Sequence, residues 1–264
     1  MFNLEQIGEI IFNKYTQSQK VDIALYFAKL KKIELSVDSF VFYNAVSAMS
    51  SCKIEGESMD IDSFLKYKST ATHYLASLVQ KPNDLYNAYE FAQKNKLTKT
   101  NFLKSHKILS KHLLKLQFRG KVRTSDMMIK DEKSGRIVYE ACHKEFVEQE
   151  VDMFFKQIDL LLKSNFSIQE TFFYGSLIHL LFVKIHPFDD GNGRAGRLLE
   201  KWFLSSKLGL NAWFIQSELN YWNNRNEFYE NLSNVGFFYD KLDFNNSVDF
   251  LQMLPKSLQK NIKY

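Results

Sequence analysis

The chain has 264 residues, 45% hydrophobic and 25% charged, an ordinary globular composition with room for one compact domain or two closely packed subdomains. With 24 phenylalanines against 10 glycines and 3 prolines, it favours long uninterrupted helices over many strands joined by tight turns. The formal charge of +5 is modest, 2 cysteines are too few for a disulfide framework or a four-cysteine zinc site, and no apolar run reaches the roughly 18 residues that span a bilayer. Nucleic acid and membrane are therefore disfavoured as partners. The N-terminus lacks a basic start followed by a continuous apolar block, so it does not read as a secretory signal, and a cytoplasmic location is expected.

Taken in chain order, apolar spacing predicts helices from about Val21 to Ile33 and from about Asp38 to Met49. Pro82, Asn83 and Asp84 break the pattern, which predicts a boundary there and a new helix from Leu85. The expected division is an N-terminal helical region at 1–84, a core at 85–240 and a C-terminal segment at 241–264 packed on that core. Phe102, Leu109, Leu113 and Leu116 mark a helix that Gly120 ends, its opposite face carrying Lys107, Lys111, Lys115 and Arg119 as a solvated basic stripe. The period then changes. Met127, Met128 and Ile129 on one side and Ile137, Val138 and Tyr139 on the other flank Asp131–Gly135, predicting one short hairpin in an otherwise all-α fold. Helical spacing returns over 145–163, and 171–185 is apolar nearly all round, as in a helix buried on most sides. Ala195, Leu198, Leu199 and Trp202 form the face of a further helix, which Gly209 stops.

Between these last two helices lies His186-Pro-Phe-Asp-Asp-Gly-Asn-Gly-Arg-Ala-Gly-Arg197. A loop feeding a helix N-terminus attracts anions, because the first backbone N–H groups have no helical acceptor and the dipole favours negative charge. Asn192 and Gly193 would offer such N–H groups, Gly191 and Gly193 let the backbone come close, and Arg194 and Arg197 suit a polyphosphate. A polyphosphate brings magnesium, which wants one or two carboxylates, here Asp189 and Asp190. His186, neutral near pH 7 at its ordinary value, is a candidate base for an incoming hydroxyl.

This segment resembles the signature of the Fic family, HPFx(D/E)GN(G/K)RxxR, with every defined position matched, and the resemblance spans roughly residues 45 to 235. It implies a mainly helical Fic fold with a hairpin flap, and a protein adenylyltransferase that moves AMP from ATP to a Ser, Thr or Tyr hydroxyl of a target protein. The roles it implies are His186 as base, Asp190 rather than Asp189 at the magnesium, Gly191, Asn192 and Gly193 as the anion hole, Arg194 on the phosphates and Arg197 on the γ-phosphate. Phe188 reads as a buried wedge. Gly193 stands where the kinase-like Doc branch has Lys, which weakens a phosphotransferase reading.

Ser51, Glu55 and Gly56 resemble the family's inhibitory motif, (S/T)xxxE(G/N), upstream of the core. Gly56 would end a helix and leave Glu55 at its negative pole, where a carboxylate needs a cation; the resemblance supplies Arg197. The hairpin, with Gly120 to Thr124 before it, resembles the flap that holds a target segment by strand addition. Tyr229, in the stretch resembling the helix after the core, is the expected base or ribose contact, and His179 is expected as a satisfied core residue. Self-modification and a homodimer fit the same resemblance. Two other readings stay open: a de-AMPylase in which Glu55 aligns water, and a nucleotide-binding regulatory protein without turnover.

Overall fold

Capping side chains set where several helices begin: Asn3 starts α1 (Leu4–Ser18), Asp22 starts α2 (Ile23–Leu30) and Ser36 starts α3 (Val37–Ile54), each accepting from first-turn backbone N–H groups. The computed structural model describes residues 2–70, 72–130 and 135–259. The chain continues through α4 (Ile61–Thr70), α5 (Ala76–Gln93), α6 (Lys99–Leu109), β1 (Met128–Lys130), β2 (Ile137–Glu140), α7 (Lys144–Lys163) and α8 (Ile168–Ile185). It ends with α9 (Asn192–Leu208), α10 (Ser217–Asn223), α11 (Arg225–Ser233) and α12 (Val248–Lys256). The described residues thus form a mainly helical fold with one antiparallel hairpin. None of its helices is long and apolar enough to cross a membrane.

The frame is the pair α8 and α9. Ser167 and Glu170 close a capping box at the start of α8, and nearly every residue from Phe172 to Ile185 is buried, which is why this stretch shows no polar face. Gly196 lets α9 lie close against α8: a Cβ there would come within 2.9 Å of Val183 Cγ1 and 3.0 Å of His179 Cδ2. Helices α1, α2, α7 and α12 pack on α8, while α3, α5, α6 and α7 pack on α9. One hydrophobic cluster runs from Leu4 through Met49, Tyr89, Leu181 and Trp202 to Met253.

Two expectations fail for tertiary reasons. No break occurs at Pro82: α5 runs through it, so the boundary expected at 84/85 falls inside a helix, with Pro82, Leu85 and Tyr86 all buried. The lost backbone donor is outweighed by that burial. The basic stripe does not lie along one helix either. Asp84, buried, accepts from both the backbone N–H of His112 (2.9 Å) and His112 Nδ1 (2.6 Å), so α6 stops at Leu109 and only a short 3-10 turn, Leu116–Phe118, follows.

The hairpin forms where its alternation predicts. Met128 pairs with Glu140, Ile129 with Tyr139 and Lys130 with Ile137, with an irregularity between Ile129 and Lys130. Met127 lies one residue before β1 but still accepts from Ala141 N–H at 3.0 Å. Asp131–Ser134 of the expected turn, and residues 260–264 of the expected C-terminal segment, lie outside the described residues.

Gly196→Val should strain the α8–α9 contact. A loss of about 1–3 kcal/mol in urea denaturation is expected, and unchanged stability would show that the two helices can separate without penalty.

Candidate active site

Helix α8 ends at His186, whose φ of 53° and ψ of 59° make it the one non-glycine residue with positive φ among the described residues. For an L-residue that conformation costs about 1–2 kcal/mol. Arg123, buried, holds it in place: its backbone N–H donates to Pro187 O (2.8 Å), its Nε to His186 O (2.8 Å), and its remaining donors reach the carbonyls of Ser125, Cys142 and Ile185. His186 Nδ1 lies 3.2 Å from Val183 O. A carbonyl only accepts, so Nδ1 carries the hydrogen of the neutral ring and Nε2 keeps its lone pair for an incoming proton. Desolvation, assisted by the Arg123 charge, lowers the His186 pKa to about 4.

The loop beyond is held from two sides. Asn192 Oδ1 accepts from Phe188 N–H (2.8 Å) and Nδ2 donates to Phe188 O (2.7 Å), so the side-chain amide clamps the turn at the start of α9. Phe188 is the buried wedge expected, stacked on the His106 ring with centroids 3.5 Å apart. His106 Nδ1 accepts from Gly120 N–H (3.0 Å), so Nε2 carries the hydrogen and donates to Asp190 O (3.0 Å). The Asp190 carboxylate is exposed, and its Oδ1 accepts from Gly191 N–H at 2.6 Å.

Gly191, with φ 81°, caps α9, and the first helical bond comes from Ala195 N–H, so the N–H groups of Asn192, Gly193 and Arg194 are left for an anion. Glu55 supplies one. A Cβ on Gly193 would collide with Glu55 Oε1, so the missing side chain is what lets the carboxylate approach the helix end. Arg197, 1% exposed, donates through Nε to Ser51 Oγ (2.7 Å) and through Nη2 to Ser51 O (3.2 Å) and Glu55 Oε1 (2.5 Å). Burial pushes the Glu55 carboxyl up, but Arg197 and Arg194 outweigh it and hold the group below its ordinary value.

The end of α3 explains how Glu55 gets there. Gly56, with φ 88°, donates to Lys53 O, and Glu57 N–H donates to Cys52 O, the paired bonds of a Schellman motif that only a residue tolerant of the left-handed region closes cheaply. Glu55 is therefore the C-cap, and Glu57 two residues on emerges on the same side. Glu57 Oε1 accepts from Arg194 Nη2 (3.3 Å) and from Lys81 Nζ (2.8 Å). Each arginine of the loop thus meets a glutamate from one turn of chain.

A cavity of about 540 Å³ opens beside these groups. His186, Gly193, Arg197, Glu55, Tyr229, Ile129, Val138 and Tyr139 line it, so most of the sequence-predicted site converges. Tyr229, partly exposed, donates to Ile54 O at 3.4 Å and so touches the same helix end. Asp190 and Arg194 are not on its wall, Met127 packs against the core, and Met128 and Ile137 face outward. Tyr139 points inward, its hydroxyl on Lys184 O (2.7 Å). The outer edge of β2 is used at Glu140, whose N–H donates to Phe237 O (2.8 Å), whereas β1 has no strand partner on its outer edge among the described residues.

Sequence reasoning missed Arg123, His106, Glu57 and Lys184. For Glu57 a signal existed, a second carboxylate just past Gly56, and for Lys184 another, a charge within an apolar helix. Nothing local marked His106, whose partners come from distant segments. His179 is core, as expected, with Nδ1 2.8 Å from Glu200 Oε2, but its buried Nε2 finds no partner among the described residues, so it is only half satisfied.

An NMR titration should place the His186 midpoint near pH 4 rather than at the ordinary 6.5. Because the folded value is depressed, the stability this ring contributes is full above pH 6.5 and declines as pH falls toward 4. A midpoint at the ordinary value would mean the ring is not desolvated.

Residues 96–204 match the model of the Fic/DOC family, a span that includes the His186–Arg197 loop and leaves α3 with Glu55 outside. No curated protein matches the sequence. Among solved structures, a Fic family protein from Desulfovibrio desulfuricans G20 superposes with a TM-score of 0.74 at 17% identity, over 90% of this chain and 72% of that one. A Fic domain containing signaling protein from Bacteroides thetaiotaomicron gives 0.66 at 14%, over 90% and 94%. A segment of Fic-1 from C. elegans gives 0.61 at 14%, over 97% and 73%. These likenesses carry the fold. Members of the family are commonly transferases acting on proteins. Residues 96–204 thus match the Fic/DOC family, within the helical fold that these solved Fic proteins share.

Proposed function

We propose that this protein transfers AMP from ATP to a Ser, Thr or Tyr hydroxyl of a protein, and that Glu55 restrains it. The observation that carries this reading is His186 with Nδ1 tied to Val183 O and Nε2 free, on the wall of the cavity that also holds Gly193 at the N-terminus of α9 and the Arg197 guanidinium. Base and anion site therefore face one space.

In the reaction the target segment adds along the outer edge of β1 and presents its hydroxyl to His186. His186 Nε2 takes the hydroxyl proton as the oxygen bonds to the α-phosphorus, and the bond from that phosphorus to the β-bridging oxygen breaks, releasing pyrophosphate and leaving a phosphodiester. The N–H groups at the start of α9 and the Arg197 guanidinium hold phosphate oxygens in place. The Asp190 carboxylate fits magnesium, being exposed with only one oxygen committed to a backbone N–H; such an ion needs one or two protein carboxylates and takes its other ligands from phosphate and water. When bound there it would offset phosphate charge.

Glu55 opposes this by standing at the end of α9 and engaging Arg197. A γ-phosphate in the same place would have to displace it. Helix α3 is bolted to the core by Lys201 on Ser47 (2.5 Å) and by the Asn44–Gln93 amide pair, so release takes the form of a side-chain movement at its last turn, not removal of the helix.

Glu55→Gly should raise transfer of labelled AMP from ATP, to the protein itself or to lysate proteins, by about tenfold or more, since a competitor worth about 1.4 kcal/mol already gives that factor. Adding His186→Ala should lower the transfer rate of the Glu55→Gly chain by about 10²- to 10⁴-fold. Confirmed ATP binding without any adenylylated product from Glu55→Gly would overturn the proposal. AMP release from a modified protein that depends on Glu55 would assign the reverse reaction instead.

A further inference from the structure

The cavity has two chemically different ends. Gly193, Arg197 and Glu55 make one polar end, matched to phosphate. Ile129 and Val138 from the hairpin face the same space as Phe228 and Leu232 from α11, giving apolar walls suited to the two faces of a flat ring. Lys184 also lines this space, 2% exposed, on an α8 turn that is otherwise apolar.

The Lys184 ammonium is unusual in its company. Its Nζ donates to Gly236 O (3.2 Å) and sits 4.1 Å from the centre of the Tyr139 ring. No carboxylate lies within ion-pair distance of it among the described residues, although Glu230 lines the same cavity. Burial without a counter-charge lowers its pKa to about 8. An ammonium has three donors and the structure accounts for one with an oxygen acceptor, so two remain for whatever enters. The phosphates do not require them, since the N-terminus of α9 and Arg197 already serve that end.

Resting on the reading of this cavity as a nucleotide site, we infer that Lys184 is a specificity-determining residue that reads a hydrogen-bond acceptor on the nucleobase. Being donor-only, it selects a ring nitrogen or carbonyl oxygen and rejects an exocyclic amino group at that position. Tyr139 holds the hairpin over the same spot through its bond to Lys184 O, so base recognition and flap position meet at one residue.

Calorimetric titration of the Glu55→Gly chain with ATP and magnesium, and separately with inorganic tripolyphosphate and magnesium, tests this. Lys184→Met in that background should weaken ATP by about 10- to 100-fold, the range of a hydrogen bond to a charged group, and leave tripolyphosphate within about twofold. Lys184→Arg, which keeps cationic donors, should retain more ATP affinity than Lys184→Met. Unchanged ATP affinity in Lys184→Met, or equal loss of both ligands, overturns the inference, the second outcome marking a purely structural lysine. A Glu55→Gly chain that binds neither ligand removes the nucleotide reading itself, a result distinguishable because it appears before Lys184 is altered.

Discussion

Arg197 is a guanidinium sealed in the protein interior, and a buried cation of this kind persists only when its donors are met. The last turn of α3 meets them, through the hydroxyl and carbonyl of Ser51 and the carboxylate of Glu55. This contact ties a helix near the start of the chain to the N-terminal turn of α9, and it does so where three backbone N–H groups also await an anion. Occupation of the anion site and attachment of α3 are therefore one electrostatic problem. The Schellman end at Gly56 turns the chain so that Glu57 reaches Arg194 as Glu55 reaches Arg197. Two charges that would be costly to bury alone are covered by adjacent carboxylates.

The loop between α8 and α9 is held almost entirely through its backbone carbonyls. Arg123 takes those of Ile185, His186 and Pro187, His106 takes that of Asp190, and Asn192 takes that of Phe188. This leaves the chemically useful groups unencumbered: His186 Nε2, one oxygen of Asp190, and the N–H groups at the start of α9. It also stabilises a left-handed histidine that would relax if its carbonyl were free. Burial favours the neutral imidazole and the Arg123 charge adds to it, so the residue that holds the ring's backbone also helps keep the ring neutral.

How much of this was legible beforehand depends on distance along the chain. Gly209 after α9, the alternation of Ile137 to Tyr139, and the loop and helix start within His186–Arg197 act within a few residues of themselves, and each forms where it was expected. Pro82 and the stripe from Lys107 to Arg119 misled because local rules were overruled by burial at α5 and by the Asp84 bonds to His112. Those partners are separated in sequence, and no spacing rule connects them.

The sequence by itself determined that His186, Asp190, Arg194 and Arg197 lie around one helix start, because a helix, a tight loop and a second helix leave so few residues little freedom to separate. It also determined that Glu55 would need a cation, since Gly56 ends its helix at the negative pole. Only the tertiary structure decided that Glu57 claims Arg194, that Arg123 and His106 hold the loop, and that Lys184 lines the cavity with no carboxylate in ion-pair distance among the described residues. Periodicity and turn chemistry are written in neighbouring residues, whereas the partner of a buried charge is whichever group the packed helices bring within reach.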